Sequence, residues 1–327
     1  MSVIDVHTHM LTEDYLAFLG EHGGPKYQRK PTKAGQDSIW MHGAPFMTLM
    51  PEMCDYDARI RDMDKAGVDL AVVSLTCPNA YFGDESISVR AARMVNDSME
   101  EQQRARPDRI AWFTSLPWQY ADAAIAELER TTAAGAVGVM VIANIDGMNL
   151  THPDFAPVWQ AIDDRALPVL VHPTAPLGTG EMSLDEYGLV PPVGFMIDTT
   201  LAVSRMILDG FFDRYPNLKI IASHGGATLP YLAGRLDRCH EMIPACAEAI
   251  SEKPSTYLEK IYYDTVVYSE GALQLCVDVG GAGNVLYGSD YPHNIGDMAG
   301  CLSRVNGLAP DIAARVRDGN ARRIFNL

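Results

Sequence analysis

Eight short apolar runs alternate along this chain with stretches of helical periodicity, and that alternation constrains the fold more than any other feature. The runs are 3–6, 69–75 (DLAVVSL), 110–116 (IAWFTSL), 136–142 (AVGVMVI), 168–172 (PVLVH), 218–223 (LKIIAS), 261–265 (IYYDT) and 285–288 (VLYG). Most are apolar throughout rather than alternating, as expected of strands covered on both faces in a parallel sheet. Helices are expected between them at 59–66, stopped by Gly67, then at 85–106, 121–134, 155–165, 199–215, 229 to about 250, and 271–279. Eight βα units in 327 residues predict a single-domain α/β fold, the (β/α)8 TIM barrel. A doubly wound open sheet is the alternative, but it more often carries a glycine-rich phosphate loop after its first strand. Here the first strand runs into histidines.

One segment breaks the alternation. Residues 10–54 form a long insertion after strand one, irregular in pattern but too apolar for disorder at Ile39-Trp40-Met41 and Phe46-Met47. A loop of that length in a compact domain is usually functional, so it is expected to cover the active site; a packing arm on a neighbouring subunit is the alternative. A formal net charge of −16 leaves no basic excess to neutralise phosphates, which argues against nucleic-acid partners. The six cysteines form no CxxC pair, and the N-terminus lacks a basic region followed by an apolar one. No apolar run reaches membrane-spanning length. The expectation is a cytoplasmic protein with no membrane partner.

The chemistry sits at the ends of the runs. His7 and His9 close the first, and residues two apart on a strand share a face. His172 closes the fifth, His224 follows the sixth, and Asp290 follows the eighth in GSDYP. In a barrel those ends meet at one face. Three imidazoles and a carboxylate, His7, His9, His172 and Asp290, are expected to hold one divalent metal ion, Zn2+ first and Mn2+ second. Such an ion lowers the pKa of its water to about 7. His224 is expected to act as general acid/base beside it, with a fourth imidazole ligand as the alternative. The fourth run (GVMVI) carries no Lys or Glu to bridge a second ion.

The motifs IDVHTH, LVHP, SHGGATLPYLAGRLD, GSDYP and GNARRIFNL, with DARIRDMDKAGVD, resemble the amidohydrolase superfamily over nearly the whole chain. Within it they are most similar to the branch around α-amino-β-carboxymuconate-ε-semialdehyde decarboxylase. The resemblance implies a metal-dependent barrel that removes CO2 from a conjugated or aromatic carboxylic acid, with the same four ligands and His224 as the catalytic histidine. It also implies that Arg235, eleven residues after His224, reaches a neighbouring subunit's site in a homodimer and binds a substrate carboxylate. The first-loop arginine of that decarboxylase is missing from His42-Gly43-Ala44-Pro45-Phe46-Met47, which leaves His42 as its candidate replacement. His293 is a further candidate for the substrate pocket, Asp264 for a partner to a ligating histidine, and Trp118 and Tyr187 for pocket walls. Asn144 and Asp146 read as turn residues, and His22, His152 and His240 as surface or packing histidines. Hydrolysis or hydration of a related ring-cleavage or aromatic catabolite uses the same groups and is the alternative function. A metal-binding protein without catalysis is the third reading.

Overall fold

The computed structural model describes residues 2–327. The eight runs form one all-parallel sheet in chain order: β1 (Ile4–His9), β2 (Leu70–Ser74), β3 (Ile110–Ser115), β4 (Gly138–Ile142), β5 (Pro168–His172), β6 (Lys219–Ala222), β7 (Tyr262–Asp264) and β8 (Val285–Leu286). The sheet closes on itself beyond β8. There Val6 N donates to Tyr287 O (2.9 Å), His9 N to Tyr291 O (2.7 Å) and Asp290 N to His7 O (2.8 Å). The result is a (β/α)8 barrel with no free sheet edge. Every residue of β1, β3, β4 and β5 is buried, which is why β3, β4 and β5 read as apolar runs.

The helices follow their sequence signals. Asp55 caps Tyr56–Ala66 by accepting from Asp57 N and Ala58 N, and Gly67 ends it in the left-handed conformation (φ 79°). Two expected helices end differently. The one expected at 199–215 breaks at Gly210 (φ 67°) into Phe195–Leu208 and Phe211–Arg214. The one starting at Leu229 stops at Met242 instead of near Ile250. Pro244 explains the early stop, because proline disfavours a helical residue before it and brings no N–H.

The insertion is regular, contrary to its irregular appearance in sequence. Residues Glu13–His22 form a helix capped by Thr12, and Tyr27–Arg29, Ser38–Met41 and Ala44–Thr48 form an antiparallel three-stranded sheet. Its second turn is His42-Gly43, both at positive φ (49° and 84°), the geometry that tight hairpins favour. Strands this short carry little periodicity to read. Among the described residues no helix is long and apolar enough to cross a membrane.

Candidate metal centre and active-site cavity

The barrel brings the strand-end histidines together at one mouth. The ring centroids of His7 and His9 lie 5.0 Å apart, His7 and His172 5.2 Å, His9 and His172 4.8 Å, and His7 and His224 5.0 Å. Asp290 Oδ1 sits 3.4 Å from His7 Nε2 and 3.3 Å from His9 Nε2, while Oδ2 sits 3.7 Å from His224 Nε2. Each imidazole of the first three is tied through Nδ1. His7 meets Asp264 Oδ2 (2.5 Å), His172 meets the Pro173 carbonyl (2.8 Å), and His9 meets Ser74 Oγ (3.0 Å). A proton on each Nδ1 leaves the Nε2 lone pairs of His7 and His9 facing a carboxylate oxygen, and that of His172 buried beside them without a partner.

That arrangement is electron-rich and unpartnered. His172 Nε2 and Asp290 Oδ1 are buried without a hydrogen-bond partner. His7 Nε2 and His9 Nε2 face each other at 3.1 Å. A cation held between them satisfies the whole set at once, so the residues fit a single divalent metal ion. His7, His172, His224 and Asp290 each offer a ligand atom within 4.8 Å of the others, and His9, Asp290 and His293 form an overlapping group.

Burial pushes the His9 imidazolium down to about 3 and holds His172 well below its ordinary value, so both are neutral donors. His7 is also pushed down by burial, but the Asp264 and Asp290 carboxylates outweigh it and the net shift is upward. For Asp290, burial pushes upward; the His224 imidazole 3.7 Å away and the other neighbouring histidines win and hold it well below the usual carboxylate range.

Asp264 joins His7 to His224. Besides His7, it accepts from His224 N (2.9 Å), Gly225 N (2.8 Å) and Val266 N (3.0 Å). His224 itself is held at φ 57°, and Asp290 at φ 60°, both in the left-handed region that non-glycine residues rarely enter. The two glycines after His224 make its turn possible. A Cβ on Gly225 would meet Val267 Cγ1 at 2.4 Å, and one on Gly226 would meet the Tyr263 ring at 2.6 Å. The His224 ring differs from those of His7, His9 and His172, because its Nδ1 has no partner.

Above the cluster lies a cavity of about 560 Å³. Its floor is His172, His224, Asp290 and His293, and its walls include Phe46, Phe195, Val266 and Ile295. Among the described residues no lysine or arginine lines it. The last strand of the insertion thus supplies part of the wall. His293 packs its ring 5.0 Å from His9 and meets Thr76 Oγ1 at 3.1 Å. His42 lies elsewhere, exposed on the hairpin turn and lining an adjoining cavity that shares only Phe46 and Pro191 with the first. Arg235 is exposed on the helix Leu229–Met242 and is not among the residues of either cavity in its own chain. Tyr187 is 93% exposed and walls neither cavity, while Trp118 is buried against Trp159. Asp146 does lie in a turn, with Gly147, but Asn144 is on the first strand of the small hairpin Asn144–Ile145/Met148–Asn149, its Oδ1 accepting from Gly147 N. Ser74 and Phe195 escaped sequence reading. Ser74 had a usable signal, since it lies one residue before the end of the predicted run 69–75, at the same barrel mouth.

The loops around the mouth are pinned by Asp198, which accepts from Thr174 N (2.9 Å) and Asn144 Nδ2 (2.9 Å). Burial pushes its carboxyl up to about 6. A folded pKa above the unfolded one favours the protonated native state, so this group's stabilising contribution is full below about 4 and lost as pH rises through 6. Relative to Asp198→Asn, the native protein should therefore gain about 1 kcal/mol in denaturant unfolding between pH 7 and pH 5. A pH-independent difference would contradict this.

The family model for amidohydrolases matches residues 4–327. A 2-amino-3-carboxymuconate-6-semialdehyde decarboxylase from Dictyostelium discoideum is 29% identical over 300 residues, covering 90% of this chain and 83% of that protein. The crystal structure of 5-carboxyvanillate decarboxylase from Sphingomonas paucimobilis superposes with a TM-score of 0.88 at 28% identity, over 100% of this chain and 99% of that one. A dihydroxybenzoic acid decarboxylase from Polaromonas sp. JS666, solved with bound manganese and 2-nitroresorcinol, gives 0.82 at 25% identity, over 100% and 97%. Fold, strand-end histidines and a match along almost the full chain agree: this protein belongs to the amidohydrolase family.

Proposed function

We propose that the protein is a metal-dependent, non-oxidative decarboxylase of an aromatic or conjugated carboxylic acid, a carbon–carbon lyase. The observation that carries this reading is an unpartnered His/Asp cluster on the floor of an apolar cavity, beside a histidine whose second ring nitrogen is untethered. The relatives named above, decarboxylases of such acids, support it. His7, His9, His172 and Asp290 are the proposed ligands. Zn2+ suits this donor set best, and Mn2+ is the second choice, given the manganese in the Polaromonas relative. When bound, the ion supplies positive charge that anchors substrate oxygens and offsets negative charge developing as CO2 departs.

The chain's own residues do the rest. Phe46, Phe195 and Val266 present an apolar surface to a ring and keep water from it. His224, free at Nδ1 and fixed in its turn by Asp264, hands a proton to the ring carbon. The bond from that carbon to the carboxylate breaks, its electron pair takes the proton, and CO2 leaves. His293, braced by Thr76, meets a substituent on the ring.

A homodimer completes the proposal, with Arg235 near the neighbouring site as a carboxylate partner. In its support, the Leu229–Met242 helix buries only Leu229 and Pro230, and Tyr231, Met242 and Ile243 are exposed along or beside it. Sedimentation showing only monomer at working concentration would contradict the dimer. The activity itself is tested by loading the protein with zinc or manganese and screening conjugated and aromatic acids. Metal-loaded protein should consume at least one class of them and stripped protein none; no consumption under either metal would contradict the assignment.

A further inference from the structure

We infer that Arg59 is a positioning residue that sets the spacing between the histidine strand and the turn carrying Asp290. This rests on the reading of the cluster as a metal centre, and it concerns a residue outside that cluster. Arg59 lies in the first turn of the Tyr56–Ala66 helix and is completely buried. Among the described residues no carboxylate lies within ion-pair distance of it; its donors go instead to the last two residues of β1 and the residue after them. It donates to Thr8 Oγ1 (2.6 Å), to the His9 carbonyl (2.5 Å) and to Met10 Sδ (3.0 Å). Its guanidinium lies 4.8 Å from the centre of the Tyr291 ring, the residue after Asp290.

The other bonds around it close the same link. Thr8 Oγ1, while accepting from Arg59, donates to the Tyr291 carbonyl (2.9 Å). Asp62, one turn further along the helix, accepts from the Tyr291 hydroxyl (2.7 Å). One helix thus grips both sides of the seam where the barrel closes.

That seam is where the centre is most vulnerable. β8 is only two residues long, and beyond it the chain reaches β1 through single bonds rather than a regular ladder. Two proposed ligands come from one side of the seam and one from the other. A buried cation without a carboxylate is costly to keep in a core. Its rigid planar fork, which lysine lacks, fits the three acceptors it meets here. The position therefore demands arginine rather than an apolar residue of similar size.

The test compares Arg59→Met and Arg59→Lys with the native protein. Chelator competition measures metal affinity, the visible spectrum of the cobalt-loaded protein reports ligand geometry, and thermal melting reports the fold. Steady-state kinetics on any acid the native protein consumes adds a split of kcat from KM. The methionine variant should fold, bind metal at least 10-fold more weakly, show an altered cobalt spectrum, and lose kcat with KM little changed. Lysine, which keeps charge without the fork, should restore melting more than the spectrum. A folded variant with native affinity and native cobalt spectrum overturns the inference, even if its melting temperature falls. Should the methionine variant fail to fold, the lysine variant decides on the same two readings. Affinity and spectrum need no substrate, so they stand or fall separately from the decarboxylase assignment; a native protein that takes up no metal overturns both.

Discussion

Replacing His224 with alanine is expected to leave one metal ion per chain and lower kcat by about 10²–10⁴-fold, the range that a positioned proton donor supplies. The separation of the two effects follows from how the ring is held. The three proposed ligand histidines are each tied at Nδ1, which fixes their Nε2 toward the centre. His224 Nδ1 has no partner, so either ring nitrogen is available to carry a proton. The His224 turn is anchored through backbone N–H groups on Asp264, and these survive truncation of the side chain. The variant should therefore fold and retain its ligands. Metal analysis and single-turnover rates check this together. Loss of metal along with activity would move His224 into the ligand set, which its 3.7 Å approach to Asp290 makes the natural second role.

Asp290→Asn should behave in the opposite way. The carboxylate brings the only negative charge among the four proposed ligands, with Oδ1 within 3.4 Å of two imidazole nitrogens. An amide of the same shape keeps the volume but removes the charge, and removing a ligand carboxylate from a buried site weakens metal binding strongly. The purified variant is expected to hold far less than one ion per chain after dialysis and to show no turnover at trace metal. Millimolar metal should recover part of the activity. A fully loaded Asp290→Asn protein with native turnover would contradict the proposed ligand set.

Much of this was legible in the sequence, for a physical reason. Parallel strands buried on both faces leave apolar runs that need no tertiary context to be seen, and a barrel places every strand end at one mouth. His7, His9, His172, His224 and Asp290 stand at those ends, so the topology alone assembles them. Asp264 was visible in the same way, as the last residue of β7, but its four bonds were not. The two from His224 N and Gly225 N depend on a left-handed turn that two glycines permit and that no periodicity announces. The insertion hid its sheet because three- to five-residue strands have no pattern to count. His42 was placed by its loop position, and the hairpin turn carries it away from the metal cavity. Arg59 was least legible, since a buried cation braced by backbone and hydroxyl oxygens looks in sequence like any helical surface arginine.

The most direct test uses a consumed acid labelled with carbon-13 in its carboxyl group, turned over by metal-loaded protein in D2O. The account predicts one labelled CO2 per substrate lost and one deuteron at the carbon that bore the carboxylate. Substrate loss with the label retained in the product would contradict decarboxylation and assign the same centre to hydrolysis or hydration.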